Sequence, residues 1–283
     1  SPIIVVPGPW SQADLDFHGV NLASSLTNNA GFNCNATRVV VTHAGWAQRQ
    51  GLIDSIKTAF ASAAPRAPYY PGAESRHERF VEEHPDAHQF GPRGQGRVPW
   101  TLITDLDPEK ADELCFSTEA WCGVTSEVPL GGSDPVDYIE RAVRFANDTC
   151  WGTLSGSIVV HPKSLEDAAV AAAVEQAIAD MKFGTVVVNH WAAIGYGMVS
   201  TTWGAYPGHP LDDVRSGRGV VHNTYLFDKP QKTVIRGPFT LFPKPAWFVN
   251  NKTCHEIGRK MTEMNANPGV KNLASLVFSA IRG

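Results

Sequence analysis

The chain has 283 residues, 43% of them hydrophobic, which is enough to bury a substantial core in one large or two ordinary domains. A formal net charge of -4 at pH 7 and an isoelectric point near 6.2 provide no broad basic surface, so we expect neither nucleic acid nor a membrane as a partner. No apolar run approaches the ~20 residues that a membrane helix needs, and the first residues lack the layout of a signal peptide. We expect a cytoplasmic protein that acts on a small molecule.

The chain has five cysteines, an odd number, and they are widely scattered without a C-x-x-C pair. This arrangement argues against a disulfide framework and against a zinc cage, so we expect reduced thiols. The five are Cys34, Cys115, Cys122, Cys150 and Cys254.

The first predicted elements are a strand and an amphipathic helix. Residues 3–6 form a strand-like apolar run with no element leading into it, and because domains seldom start in a core strand, we expect the chain to be a fragment of something longer. Apolar or small residues then recur every three or four positions up to Ala30, which predicts a helix. Ser11 and Asp14 suit its start, and Gly31 suits its end.

Cys34 lies in the loop between this helix and the next predicted strand, which begins at Val39. A thiol held between two rigid elements and flanked by small polar residues is well placed to act as a nucleophile. A free cysteine can equally be a small buried hydrophobic residue, and position alone does not separate the two roles.

Downstream, helix-like and strand-like segments alternate in three successive units, which predicts an α/β fold with a parallel sheet between layers of helices. In such sheets ligands bind beyond the carboxyl ends of the strands, and Asn189 directly follows the predicted strand 185–188. The predicted helices cover residues 52–63, 136–146 and 170–181.

Residues 65–100 show little periodicity and predict an irregular insertion. His84 and His88 have the helical spacing of a metal site, but Pro85 between them would disrupt that helix, so we expect solvated loop histidines and no metal. In the tail, 237–283, two short helices are predicted over 256–264 and 270–281.

Three segments, in the right order, resemble the carboxyl-terminal, catalytic half of the aldehyde dehydrogenase superfamily. The run G-F-N-C-N-A at 31–36, followed by Arg38, is similar to the family's nucleophile segment G-Q-x-C-x-A followed by an arginine. F-A-N-D-T-C-W-G at 145–152 is similar to L-A-N-D-T-P-Y-G, and G-T-V-V-V-N at 184–189 to G-T-V-W-V-N. The resemblance implies a three-layer catalytic domain over 1–236, with Cys34 as the nucleophile.

The family motif E-E-x-F-G-P, whose second glutamate holds the nicotinamide ribose, is matched loosely by E-A-W-C-G-V at 119–124. If Gly123 sets the register, Ala120 takes the position of the ribose-binding residue. A local shift would instead bring Glu119 there, and Glu119 is the candidate cofactor-binding residue.

The resemblance implies oxidation of an aldehyde through a cysteine thiohemiacetal and thioester, with NAD or NADP as the hydride acceptor. It also implies that the family's general base and nucleotide-binding half would precede Ser1, so the chain alone is not expected to complete a cycle. Asn189 and Trp203 are candidates for the aldehyde tunnel, although ordinary packing explains Trp203 equally well and loop capping is the better explanation of Asn189. Family members usually pair through a strand for which 233–235 is the candidate, so a homo-oligomer is possible.

Two other functions remain open at this stage. A thiol hydrolase or acyltransferase could use Cys34 with a histidine such as His190 and would need no nucleotide. A non-catalytic subunit of the same fold could serve assembly only.

Overall fold

The computed structural model describes residues 1–94 and 96–283. Its centre is an eight-stranded sheet in the order β10-β7-β6-β1-β2-β5-β4-β3, in which every neighbouring pair is parallel except β3 and β4. These strands are β1 (Pro2–Val5), β2 (Val39–His43), β3 (His88–Phe90), β4 (Trp100–Ile103), β5 (Val124–Leu130), β6 (Ser155–Val159), β7 (Thr185–Val188) and β10 (Thr233–Arg236). A separate antiparallel pair consists of β8 (Trp203–Gly204) and β9 (Val220–Val221).

Helices cover both faces of the sheet. Ile3 and Val5 of β1 are buried in one core with α1 and α2, whereas Ile4 is buried in the other core with α5 and α6. Successive strand residues point to opposite faces, so a parallel strand buried on both sides is continuously apolar. The predicted α/β parallel-sheet fold is confirmed. The helices are α1 (Gln12–Thr27), α2 (Arg49–Ser62), α3 (Ala73–Glu83), α4 (Leu114–Ser117), α5 (Pro135–Asp148), α6 (Ala168–Asp180), α7 (Ala193–Gly197), α8 (Cys254–Ala266) and α9 (Val270–Ile281).

Helix α1 carries the chain from the end of β1 to the loop that contains Cys34. Ser11 and Asp14 form a reciprocal capping box at its first turn. At its other end the backbone is left-handed at Asn29, Ala30 and Gly31, and a Cβ atom on Gly31 would lie 2.5 Å from the Cys122 carbonyl oxygen. A glycine is therefore required where this loop approaches the segment before β5.

The insertion at 65–100 is more regular than its sequence indicates. It contains the helix α3 and the edge strand β3, which extends the sheet. The expectation of solvated loop histidines is wrong, because His84 is buried at the end of α3 and the half-buried His88 is the first residue of β3. The buried face of α3 is formed by Ala73, His77 and Phe80, and a histidine at a core position hides the helical stripe in the hydropathy pattern. His77 is accommodated there because its Nε2 atom lies 2.7 Å from the Thr101 hydroxyl.

The tail contains α8 and α9, which pack against each other. The first is longer than the predicted 256–264 by two residues at each end. Within the described ranges, 1–94 and 96–283, no helix combines the length and apolar character of a membrane span.

Glu127 is a carboxylate buried completely in the middle of β5. The Arg49 guanidinium donates to both of its oxygens at 2.8 and 2.7 Å, and the Thr42 hydroxyl and the Asp105 backbone N–H donate as well. The hydrogen bonds to Glu127, together with the negative charge of that carboxylate and of Asp105, raise the pKa of Arg49 well above its usual range. A buried carboxylate is tolerated only while these donors compensate for its lost hydration.

We predict that Arg49→Met lowers the free energy of unfolding by about 3 kcal/mol, because Glu127 is then left buried without its cation. Urea denaturation followed by circular dichroism measures the change. Arg141→Met is the control, since Arg141 pairs with Asp137 on an exposed helix surface and its loss should leave the midpoint unchanged. Equal midpoints for the two variants would contradict the role given to Arg49.

Candidate active site

The amino ends of β6, β1, β2 and β5 form one edge of the sheet, because these four neighbouring strands are parallel. The loops that lead into them line a cavity that opens to solvent. Its wall includes Cys34 and Arg38 before β2, Phe116 and Glu119 before β5, Cys150 before β6, and Ser216 from the segment that precedes β9. This places the cavity at the amino edge, whereas sequence reasoning placed a ligand at the carboxyl edge.

Three of the five cysteines line this cavity, and they differ in accessibility. Cys34 is exposed, Cys150 is half-buried and Cys115 is buried. Partial burial raises the pKa of the Cys34 thiol; its own backbone N–H and that of Asn35 lower it, and the negative charge of Glu119 raises it further. Cys34 is therefore an accessible thiol that needs a base before it can attack an electrophile.

Arg38 fixes the shape of the Cys34 loop. Its guanidinium donates to the carbonyl oxygens of Cys122 at 2.6 Å and Val124 at 3.0 Å, and also to that of Gly31. One side chain thus ties the start of the Cys34 loop to the start of β5. The sequence shows Arg38 only as part of a motif, because two of its partners, Cys122 and Val124, lie more than eighty residues away.

Trp191 holds the same loop from another side. Its indole Nε1–H donates to the Asn35 carbonyl oxygen at 2.8 Å, and both residues are buried. Sequence reasoning missed this residue, since an isolated tryptophan after a strand is indistinguishable from ordinary core packing.

Glu119 is half-buried and lines the cavity with Cys34. Burial raises the pKa of its carboxyl, and the Arg38 guanidinium opposes that shift. Ala120, the other candidate for the ribose-binding position, is buried in the hydrophobic core. Of the two registers that the sequence left open, the structure brings Glu119 and not Ala120 into the cavity.

Asn189 lies at the opposite edge of the sheet from Cys34. Its side-chain Oδ1 accepts from the Val160 backbone N–H at 2.9 Å, and its Nδ2 donates to the Gly237 carbonyl at 3.1 Å. These bonds join the chain beyond the carboxyl ends of β6 and β10, so Asn189 has the capping role that the sequence allowed. The structure does not bring it together with Cys34.

Trp203 lies on the amino-edge side, where β8 runs against Gly184, the residue before β7. Its ring is buried and packs edge-on against Tyr196 with 5.6 Å between centroids. It is not part of the cavity wall described above.

The histidine required by a thiol hydrolase is not found beside Cys34. His190 is buried, and its ring packs on Gly237, beyond the carboxyl end of β10. Burial lowers its pKa. Among the described residues that line the Cys34 cavity there is no histidine.

Comparison with known proteins gives two results. No family model and no curated protein sequence matches the chain. Solved structures do match: NADP-dependent glyceraldehyde-3-phosphate dehydrogenase from Bacillus halodurans C-125, determined with NADP, superimposes with a TM-score of 0.60 at 16% identity over 78% of this chain. The chain has the fold of an aldehyde dehydrogenase.

Two other structures with this fold match similarly. NAD-dependent aldehyde dehydrogenase from Sinorhizobium meliloti superimposes with a TM-score of 0.55 at 16% identity over 72% of the chain. Lactaldehyde dehydrogenase from Escherichia coli does so with a TM-score of 0.52 at 20% identity over 67%. The matched part is 39% to 42% of each of the three proteins, so the chain spans about two fifths of the length of an aldehyde dehydrogenase.

We predict that Glu119→Gln lowers the pKa of the Cys34 thiol, because it removes a negative charge that disfavours the thiolate. The rate of Cys34 alkylation by iodoacetamide, followed by peptide mass spectrometry across pH, should then reach half of its maximum at lower pH than in the wild type. Glu140→Gln, which removes an exposed carboxylate outside the cavity, should leave the profile unchanged. If the alkylation profile of Cys34 in Glu119→Gln is unchanged, or moves to higher pH, that result contradicts the repulsion between Glu119 and the Cys34 thiolate.

Proposed function

We propose that this chain carries the nucleophile of an NAD(P)-dependent aldehyde dehydrogenase and that Cys34 is that nucleophile. The observation that carries the proposal is the meeting of the exposed Cys34 thiol with the Glu119 carboxylate in one cavity of this fold. Two of the three motif resemblances found in the sequence support it independently, since Cys34 and Cys150 come from two of those motifs and both line the cavity.

In the proposed reaction the Cys34 sulfur attacks the carbonyl carbon of an aldehyde. A carbon–sulfur bond forms, the carbonyl π bond breaks, and the thiol proton passes to a base. The negative charge that develops on oxygen requires preorganised donors, and the backbone N–H of Cys34 is one that this chain supplies. Arg38 and Trp191 hold the loop so that this donor does not have to be positioned during the reaction.

NAD or NADP, when bound, supplies a hydride acceptor. Glu119 is the residue of this chain that would hold it, because a half-buried carboxylate beside the nucleophile can accept hydrogen bonds from both hydroxyls of a ribose. Because Glu119 is half-buried, water competes less for its carboxylate oxygens, and hydrogen bonds to those oxygens are stronger.

Aldehyde binding can be tested on this chain alone. A short aliphatic aldehyde should protect Cys34 from alkylation in a saturable way, because a thiohemiacetal removes the free thiol. Cys254, an exposed cysteine in the tail, is the internal control and should stay fully reactive at the same aldehyde concentration. Equal protection of the two cysteines would mean that the aldehyde reacts with any exposed thiol in solution, and it would contradict a specific aldehyde-binding site at Cys34.

Turnover is tested on the protein encoded by the complete reading frame that contains this chain. We expect aldehyde-dependent formation of NADH or NADPH, and Cys34→Ala should lower kcat by at least about 10³-fold because no other group replaces the sulfur. Cys254→Ala should leave the rate unchanged. Undiminished turnover in Cys34→Ala would exclude Cys34 as the nucleophile.

A further inference from the structure

A second cluster of reactive side chains lies between the insertion and the Cys34 cavity, and of its members only Cys115 lines that cavity. It consists of His84 at the end of α3, Glu113 just before α4, and Cys115 in α4. One potential ligand atom from each of the three lies within 4.8 Å of the other two. All three residues are buried or at the limit of burial.

We propose that His84, Glu113 and Cys115 bind a divalent metal ion of borderline-soft character, with Zn²⁺ as the expected occupant. An imidazole nitrogen, a carboxylate oxygen and a thiolate sulfur form a donor set that suits Zn²⁺ and disfavours Mg²⁺ or Ca²⁺, which prefer oxygen ligands. Three protein ligands leave a position for water.

The hydrogen bonds of His84 orient its ring as a ligand. Its Nδ1 lies 2.7 Å from the Phe80 carbonyl oxygen, which can only accept, so Nδ1 carries a proton. In the neutral ring the Nε2 lone pair then points at the Glu113 carboxylate, 2.9 Å away. A nitrogen lone pair and an anionic oxygen repel each other at this distance unless a proton lies between them or a metal ion binds both.

The Glu113 carboxylate is oriented in the same way. Its Oε1 accepts from the Cys115 backbone N–H at 2.9 Å, and its Oε2 accepts from the Lys110 ammonium at 2.9 Å. These contacts fix the carboxylate and leave Oε1 facing His84. Such supporting bonds are characteristic of metal ligands held by a second layer of groups.

A proton shared by His84 and Glu113 would account for the imidazole and the carboxylate, and the Cys115 thiol would then interact with Glu113 as a hydrogen-bonding partner. The sulfur lies within 4.8 Å of the other two ligand atoms, and a metal ion is the occupant that would bind all three groups directly. Binding would form a metal–sulfur bond and release the thiol proton, together with any proton between His84 and Glu113, to the buffer.

A metal at this point would join the insertion to the wall of the active-site cavity. His84 belongs to the end of α3, whereas Cys115 lines the Cys34 cavity and precedes Glu119 by four residues. The ion would thus stabilise the segment that presents Glu119. Sequence spacing could not reveal this site, because its histidine and its other ligands are about thirty residues apart and belong to different elements.

For the test, the protein is incubated with Zn²⁺ and separated from excess metal by gel filtration. Its zinc content is then measured by mass spectrometry. We expect about one equivalent per chain, and at least about 100-fold weaker affinity by calorimetry in both His84→Gln and Cys115→Ser. Titration with Co²⁺ should produce a thiolate-to-metal charge-transfer band that Cys115→Ser removes. EDTA should lower the melting temperature of the loaded wild type.

The matched controls are His77→Gln, a buried histidine on the same helix, and Cys122→Ser, a buried cysteine outside the cluster. Both should retain metal and the charge-transfer band. Absence of bound metal in the folded wild type would overturn the proposal and leave a hydrogen-bonded His84–Glu113 pair. Metal retained equally by His84→Gln and Cys115→Ser would also overturn it, since the ion would then be held elsewhere, as on the exposed Cys254 and its neighbour His255.

Discussion

The parallel pairing of β6, β1, β2 and β5 decides which parts of this chain can meet. Parallel strands in register place all of their preceding loops at one edge, so segments more than a hundred residues apart become neighbours there. Cys34, Glu119 and Cys150 each precede one of these strands. The backbone hydrogen bonds of the sheet fix the register of the strands, and this register brings the loops before them together at the amino edge. The side chains of these loops form the cavity wall there.

The register alone does not make a precise site, because loops are the most mobile part of such a fold. Here Arg38 and Trp191 hold the Cys34 loop through backbone carbonyls on two sides. Hydrogen bonds from a guanidinium to buried carbonyls are among the stronger ones, and their loss would leave several acceptors unpaired. The left-handed turn at Gly31 allows the close approach that these contacts need.

Several buried polar groups lie around the same sheet, at positions where the hydropathy pattern alone predicts exposure to solvent. His77 fills a core position of α3, and Glu127 occupies the middle of a central strand. Each is stable because specific partners, Thr101 and Arg49, replace lost hydration. The pair His84 and Glu113 follows the same rule, and the Cys115 thiol lies beside it.

The sequence by itself determined the alternation of helices and strands, the start of α1, and the position of Cys34 between rigid elements; α1 ends at Thr27, three residues before the predicted Ala30. These features depend on periodicity and capping within a few residues, which are local and can be seen in a chain without its partners. Only the tertiary structure decided that Glu119 rather than Ala120 faces the cavity, that Asn189 caps the far edge, and that His84 meets Cys115. Such outcomes depend on long-range hydrogen bonds between segments whose separation carries no local signal.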